Sequence, residues 1–476
     1  MKKELLISLV LLSMLALTLA PTFAPRAISS GTPTHVFNVT PVREQFVESA
    51  DFTLGDPVGT YLPWDVDIVN AELSAHGGEG IYVAVIDTGL LSDWVNFLAP
   101  GAIIETGLAR GWSYDIVWNK HIHDFDFKQN TARGFITDPL YGSGHGTHVT
   151  GEIVGWQRSS IGAAPHTVQG VAPKVHIIPL LGLDYWLVDC PDPAYYNDYW
   201  GTINHNGKVL FRGGDDWMLC SAIDYVASLA EAHPDWKIIC TNSWGGGGED
   251  PALRTSIDYA IGKGVIFTFA AGNAGSAGMD WPGAYPEVIS CAAGGWTMDF
   301  IGSGTSNPPA PYRWYLSDVP EKLNTMDALG NNWQTFLEDF SGLPNKALGQ
   351  TWKDLDVCAP GAAVVGPYQP NVAWSVGAND WVNIGVGPAY YYLWGTSMAT
   401  PHVAGIAAII AYHYPQFNQA DMEYVLKKGA SRLPMSSDGA FAYDSIPWIF
   451  KWVDHDYGSG WLTLDNAMMA AAGYQQ

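Results

Sequence analysis

Three short segments hold residue types that together could carry out acyl transfer. The apolar run Val83-Ala-Val-Ile ends at Asp87, followed by Thr88 and Gly89. An acid at the carboxyl end of a buried strand sits where open α/β sheets place their sites, although many such strands end in Asp for structural reasons alone. Gly144-His145-Gly-Thr-His148-Val-Thr-Gly151 places a histidine at the opening of a helix, among glycines small enough for close approach. The i, i+3 histidines lack the glutamate of the H-E-x-x-H zinc pattern. A metal pair, a structural pair and a general base all stay open on spacing alone. Gly395-Thr-Ser397-Met-Ala-Thr-Pro401-His402-Val-Ala-Gly405 opens a long apolar helix with a serine. Pro401 is expected in its first turn, where proline costs little. The plain reading of Ser397 is a helix N-cap. The chemical reading is a nucleophile near a helix N-terminus, which favours developing negative charge.

These residues are far apart in the chain, so a framework of strands and helices must bring them together. Apolar runs expected as strands are Ile81–Ile86, Val175–Leu181, Trp236–Cys240, Val265–Ala271 and Val288–Ala293. Helical spacing appears at His148–Val154, Met218–Ala230, Leu253–Ile261 and Met398–Tyr412. Strands alternating with helices imply an α/β fold, a parallel sheet with helices on both faces in three layers. Two stretches near 183–216 and 296–339, rich in Gly, Pro, Asn and aromatics, read as long loop insertions. Loops that long are usually functional or carry their own structure.

Taken in order, Asp87, His145 and Ser397 lie in segments that resemble the signatures of subtilisin-like serine proteases, the subtilases (peptidase S8 family). The order Asp, His, Ser matches the subtilisin arrangement and differs from those of chymotrypsin and the α/β-hydrolases. Thr241-Asn-Ser243-Trp-Gly245-Gly resembles the family's substrate-binding strand. Ala270-Ala-Gly272-Asn273 resembles the loop that gives the oxyanion-hole asparagine. Asp356-Val-Cys-Ala-Pro360-Gly and Tyr457-Gly-Ser-Gly-Trp-Leu-Thr-Leu-Asp465 resemble later landmarks, so the likeness covers roughly residues 62–470.

The resemblance implies a serine endopeptidase with Asp87, His145 and Ser397 as a catalytic triad. Asn273 and the Ser397 amide would meet the oxyanion. Ser243, Trp244, Gly245, Ala270, Ala271 and Gly272 would line the cleft and pair with an extended substrate backbone. His148 and His402 belong to the same motifs and are expected to pack structurally. No cofactor is required by this chemistry. Family members often bind structural calcium, but no calcium loop matches residue by residue, and no metal ligands are assigned. The segment that would floor the pocket after Asn273 has no match to the family, and the resemblance assigns no side-chain preference.

Composition narrows the partners. Of 476 residues, 23 are basic and 47 acidic, a formal net charge of −24. Such a surface repels phosphate backbones, which disfavours nucleic acid; proteins or peptides are the expected partners. Charged residues make up 15%, against about 25% in an average soluble domain. This suits an extracellular surface, or one adapted to acid, where carboxylates lose their charge. A histidine base with a reference pKa of about 6.5 pulls the other way, since activity would fall as pH drops through that region.

Lys2 and Lys3, the apolar stretch Leu5–Ala20 and small residues at Ala20 and Ala24 read as an export signal over 1–24, removed on secretion. An uncleaved anchor is the alternative. After removal no stable membrane insertion is expected, because Val403–Ala411 is too short to span. Residues 25–60 read as an N-terminal arm or short propeptide, and 61–476 as the peptidase domain. Asn38-Val-Thr40 is a glycosylation acceptor triplet. Of five cysteines, none forms a CxxC pair, which argues against zinc. Cys190 and Cys220 flank a polar, Gly-rich stretch and are expected to be bridged. Cys240, Cys291 and Cys358 sit in apolar runs and read as core thiols.

Three other readings compete. An acid-active serine-carboxyl peptidase would carry a glutamate base and an oxyanion aspartate, where this chain has His145 and Asn273. A binding protein on a dead protease fold would lack a triad member. A carbohydrate-binding module would expose coplanar insertion tryptophans.

Overall fold

Six strands, apolar along nearly their whole length, run through the middle of the molecule. They are β1 (Ile81–Asp87), β2 (His176–Leu181), β3 (Lys237–Asn242), β4 (Ile266–Ala270), β5 (Ile289–Trp296) and β6 (Val357–Pro360). They pair in parallel in the order β2-β1-β3-β4-β5-β6. Burial does not alternate along them, the mark of a sheet covered on both faces. The register sets Leu181 beside Asp87 and Cys240 beside Ala84. Antiparallel Thr335–Leu337 joins β5, and Trp461–Leu462 extends the sheet beyond β6.

This computed structural model describes residues 36–38, 42–46, 60–91, 94–115, 120–122, 144–158, 166–189, 208–296, 335–368, 372–375, 380–383, 389–433 and 456–474. All fall within one unit, His35–Gln476. The expected leader, Cys190 and most of the 296–339 insertion lie outside the described residues.

The helices are α1 (Gly144–Val154), α2 (Asp216–Ala232), α3 (Pro251–Gly262), α4 (Thr396–His413), α5 (Gln419–Gly429) and α6 (Leu464–Gly473). Their starts follow capping chemistry. Asp215 accepts from the Met218 amide at 2.8 Å to open α2. Asp250 accepts from Ala252 and Leu253 to open α3, with Pro251 at its first position. Asn418 and Asp421 form a reciprocal box at α5. Helix α4 is buried on every side from Thr396 to Ala411, as expected of a helix that is apolar all round.

The connection from β1 runs to β2 on one side, whereas β3 and its successors lie on the other. The strand order therefore reverses between β1 and β3, and open α/β sheets bind ligands in the crevice outside such a switch point. Asp87 closes β1 and Ser243 follows β3, so the crevice lies between them.

The first insertion carries structure of its own. Asp184–Asp189 pairs antiparallel with Lys208–Asp215, and Val36–Asn38 adds to the same sheet. Arg43–Phe46 pairs antiparallel with Ala389–Trp394, the strand that leads into α4. Trp296, at the start of the second insertion, is buried and stacks on Trp64 with centroids 6.1 Å apart.

The expected Cys190–Cys220 bridge needs correction. Cys220 is a free thiol, buried in α2. With Leu219, Ile223 and Ala227 it shares the core-facing side of an amphipathic helix, whatever the polarity of the flanking chain. Burial pushes its thiol well up. Cys240, Cys291 and Cys358 are buried free thiols, in keeping with their apolar runs. Among the described residues no helix is long and apolar enough to cross a membrane.

Candidate active site

Asp87 is fixed before its carboxylate is used. Its backbone carbonyl accepts from Gly182 at 2.9 Å and Leu183 at 3.2 Å, just past the end of β2. Oδ1 also accepts from the Thr88 amide at 2.6 Å. Both carboxylate oxygens lie 2.9 Å from His145 Nδ1. His145 is the second residue of α1, whose opening docks on the exit of β1. The Gly146 amide donates to Thr88 Oγ1 at 3.0 Å. A Cβ at Gly146 would lie 2.2 Å from the Gly89 carbonyl oxygen, so only glycine permits this approach. The other ring nitrogen, His145 Nε2, is buried and has no hydrogen-bond partner among the described residues.

Ser397 is not the N-cap of α4, as its place in the sequence suggested. Gly395 holds that position, and Ser397 is the second helical residue. The capping is done from a distant segment. Asn273 Oδ1 accepts from the Thr396 amide and from Thr396 Oγ1, both at 2.9 Å. Pro401 lies inside the helix, past its first turn. It has no N–H for the carbonyl four residues back, which is that of Ser397. Ser243 Oγ supplies the missing donor at 2.7 Å. In return Ser397 Oγ donates to the Ser243 carbonyl at 3.0 Å.

Asn273 Oδ1 is fully occupied, and its Nδ2 meets no acceptor among the described residues. The Ser397 amide is one of the opening N–H groups that have no intrahelical partner. A Cβ built on Gly395 would lie 3.6 Å from Asn273 Nδ2 and 3.6 Å from Ser397 N. Two donors thus converge on one point at the start of α4.

The remaining residues expected in the cleft take different positions. Trp244 buries its indole in the core, with Nε1 donating to the Ile86 carbonyl at 3.0 Å. Only its backbone is available to a ligand. Ala270 and Ala271 are buried, and the Ala271 amide and carbonyl pair with Cys291 and Asp280. The Gly272 amide donates to Thr396 Oγ1 at 3.2 Å and its carbonyl accepts from Gly342 at 2.8 Å. This segment lines the crevice with its backbone bonds already engaged.

Three acids escaped sequence reasoning. Asp280 packs between Gly245 and Gly272. Asp65 and Glu152 flank His402 in a buried cluster joining α1 to α4. His402 Nε2 lies 3.0 Å from Asp65 Oδ2, and its Nδ1 is 2.7 Å from the Met398 carbonyl. Both ring nitrogens therefore face acceptors, so the ring carries two protons. Glu152 Oε2 stands 3.3 Å from Nδ1, close enough for attraction although that hydrogen goes to Met398. Burial alone would push His402 down; together the two carboxylates outweigh it and raise the ring to about 10. Glu152 Oε1 also holds His148 Nδ1 at 2.7 Å. His148 and His402 thus both pack structurally. The sequence signal was an acid seven residues after His145, two helical turns on and so on the same face.

Among the described residues no group of three or more His, Cys, Asp or Glu side chains could hold a metal ion. Calcium prefers six to eight oxygen ligands, and peptide hydrolysis by a serine nucleophile requires none.

Known proteins place this architecture in context. The family model described as "Subtilase family" matches residues 78–450. The chain is 27% identical over 335 residues to fervidolysin of Fervidobacterium pennivorans, covering 70% of this chain and 35% of that protein. It is 27% identical over 368 residues to a subtilisin of Bacillus sp. strain TA39, covering 76% and 64% respectively. Against subtilisin DY of Bacillus licheniformis the identity is 23% over 382 residues, with 78% and 92% covered. The chain spans about a third and about two thirds of the length of the first two relatives. With a family model covering most of its length, and with the Asp87–His145 pair and the Ser397 helix inside that match, the chain belongs to the subtilase family.

Proposed function

We propose that this protein is a serine endopeptidase that cleaves peptide bonds through an acyl-enzyme intermediate. The observation that carries the reading is the His145 ring, tied at Nδ1 by both oxygens of Asp87 and, among the described residues, without a partner at Nε2. That tautomer is the one a general base needs.

In the first step the Ser397 hydroxyl leaves the Ser243 carbonyl by a rotamer change and turns to His145 Nε2. Its oxygen bonds to the scissile carbonyl carbon, and its proton passes to Nε2. The carbonyl oxygen becomes an oxyanion held by Asn273 Nδ2 and the Ser397 amide. The C–N bond then breaks, the amine takes the proton from His145, and an ester to Ser397 remains. Water repeats the sequence with His145 as base, releasing the acid and restoring Ser397. Asp87 stays ionised throughout and stabilises the imidazolium.

The substrates are proteins or peptides, lying against Ser243–Gly245 and Ala270–Gly272. The N-terminal apolar stretch and the secreted character of subtilisins support export, with 1–24 as a removable leader. The acidic balance of 47 to 23 disfavours nucleic acid as a partner.

The test is casein hydrolysis from pH 3 to 9 by purified protein and by Ser397→Ala, with a serine-directed phosphonofluoridate as label. Activity and labelling present in wild type and absent in the variant establish the nucleophile. Folded wild type that neither cleaves nor labels refutes the reading.

A further inference from the structure

We propose that Asp280 is the specificity determinant of the cleft, its carboxylate receiving the cationic end of a lysine or arginine side chain on the acyl side of the scissile bond. This rests on the reading of Ser397 as nucleophile and names the substrate class of that site.

Asp280 is held by its own backbone and by that of its neighbour. Its amide donates to the Ala271 carbonyl at 2.8 Å. The next residue, Trp281, exchanges two backbone bonds with Gly246, at 2.8 and 2.9 Å. Asp280 is therefore pinned between the two segments that form the crevice walls. Its side chain fills the space that two absent side chains leave. A Cβ on Gly245 would lie 2.6 Å from Asp280 Cβ, and one on Gly272 would lie 2.7 Å from both Cγ and Oδ2. Gly272 also has φ +96°, which disfavours any other residue.

The same two walls hold the nucleophile. Ser397 Oγ donates to the carbonyl of Ser243, two residues before Gly245. The Gly272 amide donates to Thr396, the residue before Ser397. A slot framed by these two backbones thus has Ser397 at one end and Asp280 at the other. Gly245 and Gly272, the wall residues against Asp280, carry no side chain, which suits the methylene stem of a long cationic side chain.

Among the described residues the carboxylate has no partner. No hydrogen bond or ion pair among the described residues reaches it, and burial pushes it up to about 6. Other acids of the fold are matched: Asp250 caps α3, Glu287 pairs with Arg254, and Asp356 takes Lys427. A desolvated charge without a counter-ion is costly, and such a group in a cleft marks a place where a ligand supplies the counter-charge. A guanidinium or ammonium does so with charge-assisted hydrogen bonds.

The experiment uses fluorogenic peptides identical except for arginine, lysine, phenylalanine or leucine at the acyl-side residue, at pH 8. Active centres are counted by the serine-directed label. Wild type should favour arginine and lysine over phenylalanine by at least about tenfold in kcat/KM. Asp280→Asn should lower that ratio by roughly ten- to a hundredfold, the range expected for losing a hydrogen bond to a charged group. Asp280→Glu should keep arginine ahead of phenylalanine. Faster cleavage after phenylalanine or leucine by wild type overturns the assignment, as does an unchanged ratio in labelled Asp280→Asn. Should the asparagine variant fail to label, competitive inhibition of wild type by benzamidine decides. Inhibition that strengthens from pH 5 to 8 supports the assignment, and inhibition flat with pH overturns it. Wild type that neither cleaves any peptide nor labels removes the nucleophile itself, and the assignment falls with it.

Discussion

Ser243 and Ser397 exchange hydrogen bonds, each hydroxyl donating to the other's carbonyl, at 2.7 and 3.0 Å. One half of this exchange repairs a gap in α4, because Pro401 cannot donate to the Ser397 carbonyl. Ser243→Ala should therefore cost about 1–3 kcal/mol in urea unfolding, the price of a buried orphan acceptor. Adding Pro401→Ala returns an amide donor, so the double variant should be more stable than the two single effects predict. A double-mutant cycle with no coupling would refute the repair role.

Asn273 has two separable duties, accepting from Thr396 and donating toward the oxyanion. Asn273→Asp keeps the acceptor and removes the donor. Its kcat should fall about 10²–10³-fold while its thermal midpoint stays near that of wild type. Asn273→Ala should lose both kcat and stability. Wild-type kcat in the aspartate variant would exclude the donor role.

The His402 cluster makes stability depend on alkaline pH. The folded ring is raised to about 10, above the unfolded value of about 6.5. Its contribution is complete below about 6.5 and is lost as pH rises through about 10. Melting temperature should decline over that window. In Glu152→Gln one of the two carboxylates that hold the proton is gone, so the decline should begin at lower pH. Parallel curves for the two proteins would contradict this.

Asp280 should imprint its own titration on selectivity. Burial raises it to about 6, so it is charged above that pH and neutral below. The ratio of kcat/KM for arginine over phenylalanine should climb as pH rises through about 6, with the base common to both substrates cancelling out. The same shift means that the folded state favours the protonated acid, so stability falls as pH rises from about 4 to 6. Asp280→Asn should melt higher than wild type at pH 8. A ratio constant from pH 5 to 8 would count against the charge.

All four described cysteines are buried free thiols. A thiol reagent should leave them untouched in the native protein and titrate at least four in denaturant without reductant. Fewer than four would restore the case for a bridge at Cys220.

What could be read from sequence follows the range of the interactions involved. Asp87, His145 and Ser397 were legible because each sits in a local motif at an element end. The six parallel strands were legible because burial on both faces leaves continuous apolar runs. The N-cap of α4 was not, since its side-chain acceptor comes from Asn273, in another loop. Asp280 was silent for a similar reason: its setting depends on Gly245 and Gly272, which the fold brings to it from separate segments. Glu152 looked like an ordinary helix acid until α4 presented His402 to it. Cys220 was misjudged from its polar surroundings, when the phase of α2 pointed it inward.

The order of the strands also has a consequence during biosynthesis. Asp87 and His145 leave the ribosome early, whereas α4 packs across β3, β4, β5 and β6 as well as β1. Its landing surface is incomplete until Pro360 has been made. A nascent chain halted anywhere between residues 145 and 396 holds the carboxylate and the imidazole but no nucleophile. Whatever proteolytic capacity the finished molecule has is withheld from the growing chain by the sequence order of its own parts.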